Sequence, residues 1–279
     1  MSHSPEYHRH RLQRQFLTLL LVIALLCLGA SFFIKQRLPL QTDIYPQLHA
    51  EPVQTATDRE PFLFRYRGSE YEVDPVAEYI VSGLVVSHNN INSIADIYHD
   101  DDSVDMKDLC VIWGRNVKSS DYRKVTFWSN SWTCNWSYYG NIDFSNREVA
   151  NNHLLAADKT VQDRIRSIKV GDQVILQGML VDYSPAGTDW KRITSRNRDD
   201  TGNGACEVMF VEAVEIVKRG QPFWNLLFEV SKWAVYSLLV LKVILFLYHA
   251  RHEKKHLDKL EAERQKRQRR QERIVYRGG

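Results

Sequence analysis

The sequence predicts an α+β membrane protein, in which a membrane-anchored β-rich domain lies between two transmembrane helices. Two long apolar runs sit near the ends of the 279-residue chain, and basic residues collect outside them. Between the runs, short β-branched and aromatic segments alternate with turn residues.

The first run, Phe16 to Ile34, is uncharged and filled mostly by Leu, Ile, Val and Phe. At ~1.5 Å per residue it spans about 28 Å, close to the ~30 Å hydrocarbon core of a bilayer. Arg9, Arg11 and Arg14 in front of it also suit a signal peptide. The run is longer than the usual ~7–15-residue apolar region of such a peptide, however, and Gly29, Ala30 and Ser31 make a poor cleavage site, so an uncleaved anchor is expected. Leu26 before Cys27 removes the small residue that lipidation there would need.

The second run, Leu226 to Tyr248, contains Glu229, Lys232 and Lys242. Glu229 and Lys232 are one helical turn apart, beside Trp224 and Trp233 at the outer interface. Lys242 is expected to snorkel to the headgroups, with contact to another helix or to a second copy of the chain as the alternative.

Charge sets the orientation. Residues 1–15 carry three Arg against Glu6, and residues 251–279 carry eleven Lys and Arg against five Asp and Glu. With +3 for the whole chain, residues 35–222 are left at −6. The positive-inside rule then puts both tails in the cytosol and the middle on the far side of the membrane. Of the four cysteines, Cys27 lies in the first run while Cys110, Cys134 and Cys206 lie in the exported part, where disulfides persist.

Residues 35–61, with Pro39, Pro46, Pro52 and Pro61 and no sustained periodicity, read as a tether. The folded domain is expected over 62–222. Strands are predicted at Glu78 to Ser87, with Gly83 as a bulge or bend, and at Leu109 to Trp113, whose wholly apolar run suits burial on both faces. The aromatic stretch Val125 to Tyr139 predicts a strand or bent hairpin. Val161, Ile165 and Ile168 lie on one face of a short helix over Thr160 to Ile168. A long strand over Lys169 to Tyr183, bent or broken at Gly178, and a last strand over Cys206 to Val217 complete the set. Five or six strands with one helix before the penultimate long strand predict a small OB-like barrel. The phrase V-G-D-x-V-x-x-x-G at 170–178 resembles the way many OB domains enter a curved strand after their helix.

Asp108 to Gly114 (DLCVIWG), Asn151 to Leu155 (NNHLL), Val170 to Val174 (VGDQV) and Thr201 to Glu207 (TGNGACE) together resemble motifs of uncharacterised bacterial two-span inner-membrane proteins. The resemblance covers most of the central domain. It implies bacterial inner-membrane placement and brings no activity with it.

Several groups are candidates for chemistry. The acidic stretch Asp96 to Asp108 holds His99, Asp100, Asp101, Asp102, Asp105 and Asp108. His99, Asp100 and Asp102 are its metal-ligand candidates, although the EF-hand pattern is absent and a solvated loop is the plainer expectation. His153, flanked by Asn151 and Asn152, is the candidate general base, with capping of a local turn as the plainer reading, and His88 beside Asn89 and Asn90 is read the same way. The glycines of TGNGACE suit a tight turn that places Cys206 for a disulfide, with Cys134 as the expected partner and Cys110 as the buried free thiol. The aromatic run at 125–139 could stack bases or sugars, but the acidic middle of the chain disfavours nucleic acid. The tail from 249 to 279 is helix-forming and basic, suited to anionic lipid.

These residues point to a non-enzymatic membrane-anchored module that binds an envelope protein or other envelope component, without a cofactor and with self-association left open. A metal-assisted hydrolase using His99 and its neighbouring aspartates or His153, and a transmembrane sensor, are the alternatives.

Overall fold

The computed structural model describes residues 5–91, 104–131, 133–200 and 205–275. Residues 33–222 form one compact unit and the two terminal segments, 1–32 and 223–279, form another.

The terminal unit holds the two apolar helices. Helix α1 is Pro5–Ile34. Both helices are long and apolar enough to cross a membrane. In α1 the residues turned away from solvent are Leu17, Ala24 and Ser31, spaced by seven. In the C-terminal helix, Pro222–Val275, they are Ser231 and Val235. Lys242 Nζ donates to Thr18 Oγ1 at 3.0 Å, and the Phe32 and Phe228 rings are 6.2 Å apart. From Thr18 to Phe32 the chain runs forward as far as it runs back from Lys242 to Phe228, so the two helices pack antiparallel. Lys242 therefore makes the helix contact that the sequence offered as the alternative to snorkelling.

The central unit is a mixed α+β domain. Its strands are β1 (Val53–Thr55), β2 (Phe62–Tyr66), β3 (Ser69–Asn90), β4 (Lys107–Ile112), β5 (Thr126–Ser129), β6 (Cys134–Ser137), β7 (Val149–Leu155), β8 (Gln173–Pro185) and β9 (Glu207–Lys218). Two short helices, α2 (Arg115–Lys118) and α3 (Lys159–Ser167), precede the long C-terminal helix α4. Five strands close a ring in the order β3–β4–β7–β9–β8 and back to β3. Within it β7 and β9 run parallel, and the other pairs run antiparallel.

Alternation along β3 and β4 explains why each carries consecutive buried apolar residues, at 84–86 and 109–112. Val85, Leu109 and Val111 enter the main core, whereas Leu84, Val86, Cys110 and Ile112 enter a second one. The second core is covered by the connection between β4 and β7, which supplies Val117 and Tyr122, and by Ile44 and Leu48. Residues 35–61 are therefore no tether: Leu48 is fully buried, the Tyr122 hydroxyl donates to the Pro39 carbonyl, and β1 pairs with β3. A few well-spaced apolar residues fix this segment, which its prolines and polar residues had masked.

Gly178 is where β8 bends. A register shift falls between Gln177 and Gly178, and a Cβ there would overlap the Phe210 carbonyl oxygen of β9. Gly83 is not a bulge. The irregularities of β3 fall between Pro75 and Ala77 and between Val85 and Ser87, while a Cβ at 83 would stand 2.9 Å from Val111 Cβ. Helix α3 forms as its sequence predicts: Asp158 caps it by accepting from the Thr160 and Val161 amides, and Ile165 and Ile168 are buried. Its C-terminal carbonyls meet a buried cation, since Lys107 Nζ donates to the Ile168 carbonyl at 2.5 Å and to the Arg166 carbonyl at 3.4 Å. Burial still pulls the Lys107 ammonium down to about 7.

Candidate functional site

The register of three ring strands assembles a polar cluster that no single segment contains. In the β4–β7 pair Asp108 stands opposite His153, and in the parallel β7–β9 pair Asn152 stands opposite Glu207. Cys206, one residue before β9, is thereby brought beside Asn151, whose Nδ2 donates to its Sγ at 3.5 Å.

His153 is the centre of the group. Its Nδ1 is 2.7 Å from Asp108 Oδ1 and 3.8 Å from Asp105 Oδ2. All three side chains are buried. Burial alone would pull the imidazole down, but the charge and hydrogen bond of Asp108 outweigh it, helped by the Cys206 thiol and Asp105, and hold His153 well above its ordinary value. Nδ1 and Asp108 Oδ1 thus share a hydrogen bond between two buried partners. His88, by contrast, is driven down to about 3 by burial and by Lys107, Lys169 and Lys35, and stays neutral.

Neighbours in a strand point to opposite faces, so Asn152 lies on the other face of β7 from His153. Glu207, opposite Asn152, is also buried, and burial pushes its carboxyl up to about 7 although Arg198 and His153 act to lower it. The Arg198 guanidinium lies 5.1 Å over the Trp113 ring and 5.9 Å over the Tyr79 ring.

Asp108 Oδ2, both polar atoms of the Asn152 side chain, Glu207 Oε2 and Trp113 Nε1 are buried without a hydrogen-bond partner. Leaving one such group unsatisfied costs roughly 1–3 kcal/mol, and native folds hold few of them. Among the described residues these groups gather around β4, β7 and β9, which makes the region a candidate site.

His153, the sequence's candidate base, lies at the centre of this cluster. The NNHLL segment around it is a ring strand, not a turn. His99, Asp100 and Asp102 lie outside the described residues, and the aspartates brought to His153 are Asp105 and Asp108. The expected Cys134–Cys206 disulfide is corrected: Cys134 is bonded to Cys110, with Cα atoms 5.6 Å apart, and Cys206 is a buried thiol outside that disulfide. The β5–β6 hairpin lies against β3, where Ser129 and Ser87 share a hydrogen bond, so Cys134 reaches β4, whereas Cys206 sits across β7 from that strand. Glu207 and Arg198 went unread because their significance depends on burial. The aromatic run packs on a residue beyond it, with Phe127, Trp136 and Tyr138 around Phe144.

Asp105, Asp108 and His153 are the residues here that could hold a metal ion. The same carboxylate–imidazole pair could equally orient a ring for proton transfer. A separate open groove between α3 and β9 is lined by Lys159, Arg164 and Arg219 together with Asp163. No protein-family model matches the chain, and no curated protein or solved structure matches it either.

Proposed function

We propose that the chain is a two-pass protein of the bacterial inner membrane whose central domain is an OB-like binding module on the far side of the membrane from both tails. The order of the ring carries this reading. Numbered within the ring, its strands run 1-2-3-5-4-1, with the third and fifth parallel and a helix between the third and fourth. That arrangement supports a five-stranded Greek-key barrel of the OB type. Such barrels take their ligands on the second and third strands and on the loops joining strands one to two and four to five. Those strands here are β4 and β7. The two connections end at Met106 and Cys206, next to the polar cluster, which supports the reading.

The ligand class we favour is an envelope protein or other envelope component, because the central segment is net acidic and polyanions are disfavoured there. Two apolar helices and the charge of both tails support the anchoring and its orientation. The basic end of α4 gains roughly 1 kcal/mol per basic residue from anionic lipid. Cross-linking in intact cells, followed by purification in mild detergent, should recover a defined partner that is lost when Asn151 or Cys206 is substituted. Recovery of lipid alone would count against the reading. A metal-assisted hydrolase is the second reading, and the grouping of Asp105, Asp108 and His153 favours it.

A further inference from the structure

Asp105, Asp108 and His153 bring two carboxyl groups and one imidazole together at a buried place. Buried polar groups are hydrogen-bonded or coordinate a metal. Asp108 has bonding capacity left over: the residue is 1% exposed, its Oδ1 is bound to His153, and its Oδ2 has no hydrogen-bond partner.

We propose that Asp105, Asp108 and His153 are the protein ligands of one divalent transition-metal ion of the zinc or manganese class. Their ligand-type atoms lie within 4.8 Å of one another. An ion with nitrogen and oxygen ligands at ~2.0–2.2 Å holds neighbouring ligands about 3.3 Å apart in a tetrahedral shell. The Asp108–His153 contact, now 2.7 Å, would open by about half an ångström, and the Asp105–His153 approach, now 3.8 Å, would close by a similar amount. Both changes lie within side-chain rotation, because Asp108 and His153 project from paired positions of two hydrogen-bonded strands.

The donor set decides the class of ion. Calcium and magnesium prefer all-oxygen shells, whereas an imidazole joined to carboxylates suits zinc, manganese, iron or cobalt. Three protein ligands leave a position for water or for a ligand of the domain. The ion would also tie the end of the β3–β4 connection, through Asp105, to the middle of the ring. This inference does not depend on what the domain binds.

The test uses the full-length chain, purified in detergent without a polyhistidine tag or chelator. Elemental analysis should find about one transition-metal ion per chain, as expected where metal binding adds to folding stability. Chelation should lower the Tm, and added Zn2+ or Mn2+ should restore it. Asp105→Asn, which alters the ligand outside the strands and leaves both strands intact, should weaken metal binding at least about tenfold, and Asp108→Asn should do the same. Absence of stoichiometric metal, together with no Tm rise of the wild-type chain on adding Zn2+, Mn2+ or Co2+, overturns the proposal. Wild-type metal affinity in folded Asp105→Asn and Asp108→Asn chains overturns it as well.

Discussion

Glu207 and His153 stand on opposite faces of adjacent strands, and their protons are held for different reasons. Glu207 is raised to about 7 from an ordinary 4.5, mainly by burial. Between those values the folded chain binds more protons than the unfolded one, so this group makes stability fall as pH rises from about 4.5 to 7. The full loss is on the order of 3 kcal/mol. In Glu207→Gln that fall should vanish from a plot of Tm against pH over this window, and an unchanged profile would refute the assignment. His153 is also raised, by its carboxylates. Its stabilisation is complete below its ordinary 6.5 and is lost as pH rises through its higher folded value. Asp108→Asn leaves the imidazole buried without its partner and should cost about 3–5 kcal/mol, read by denaturant unfolding at pH 6. His153 was legible in the sequence as a polar residue among amides before an apolar pair. Asp108 was visible only as one acid among many, because nothing local announces that its strand pairs with NNHLL.

Elements were legible where periodicity is local and obscure where pairing decides. Helix α3 could be read from Val161, Ile165 and Ile168, and the bend of β8 from Gly178. Strand β7 was missed because Asn151, Asn152 and His153 break the apolar pattern, and it is their neighbours on β4 and β9 that hold them extended. The disulfide was misassigned for the same reason, since Cys110 lies in an apolar run that looks like a core strand and receives the β5–β6 hairpin only in three dimensions. That cross-link closes a segment with a sequence separation of 24 and should stabilise the domain by roughly 3 kcal/mol through the unfolded chain. Cys134→Ser should lower stability by about that amount, and reduction of the wild type should match it, while Cys206→Ser should leave the response to reductant unchanged. An equal response to reductant in the Cys134→Ser chain would show that another pair is bonded.

For the whole molecule, the apolar runs and the charge asymmetry outside them were plain from the first residues, because a bilayer imposes length and charge rules that need no tertiary contact. A small barrel was expected from the strand pattern, whereas the β3–β8 pairing that closes the ring and the packing of residues 35–61 against the second core were not. The proposed orientation rests on the same charge rules and is open to direct measurement. In spheroplasts, added protease should digest the central domain and leave the basic end of α4 protected, so that an antibody to the C-terminus detects a fragment containing the second apolar segment. Permeabilising the membrane should then destroy that fragment. Digestion of the C-terminal end in sealed spheroplasts, with the central domain spared, would reverse the orientation and place the Asp105–Asp108–His153 cluster in the cytosol. There the Cys110–Cys134 disulfide would meet a reducing compartment in which such bonds rarely persist, so protease protection and the state of that disulfide must agree.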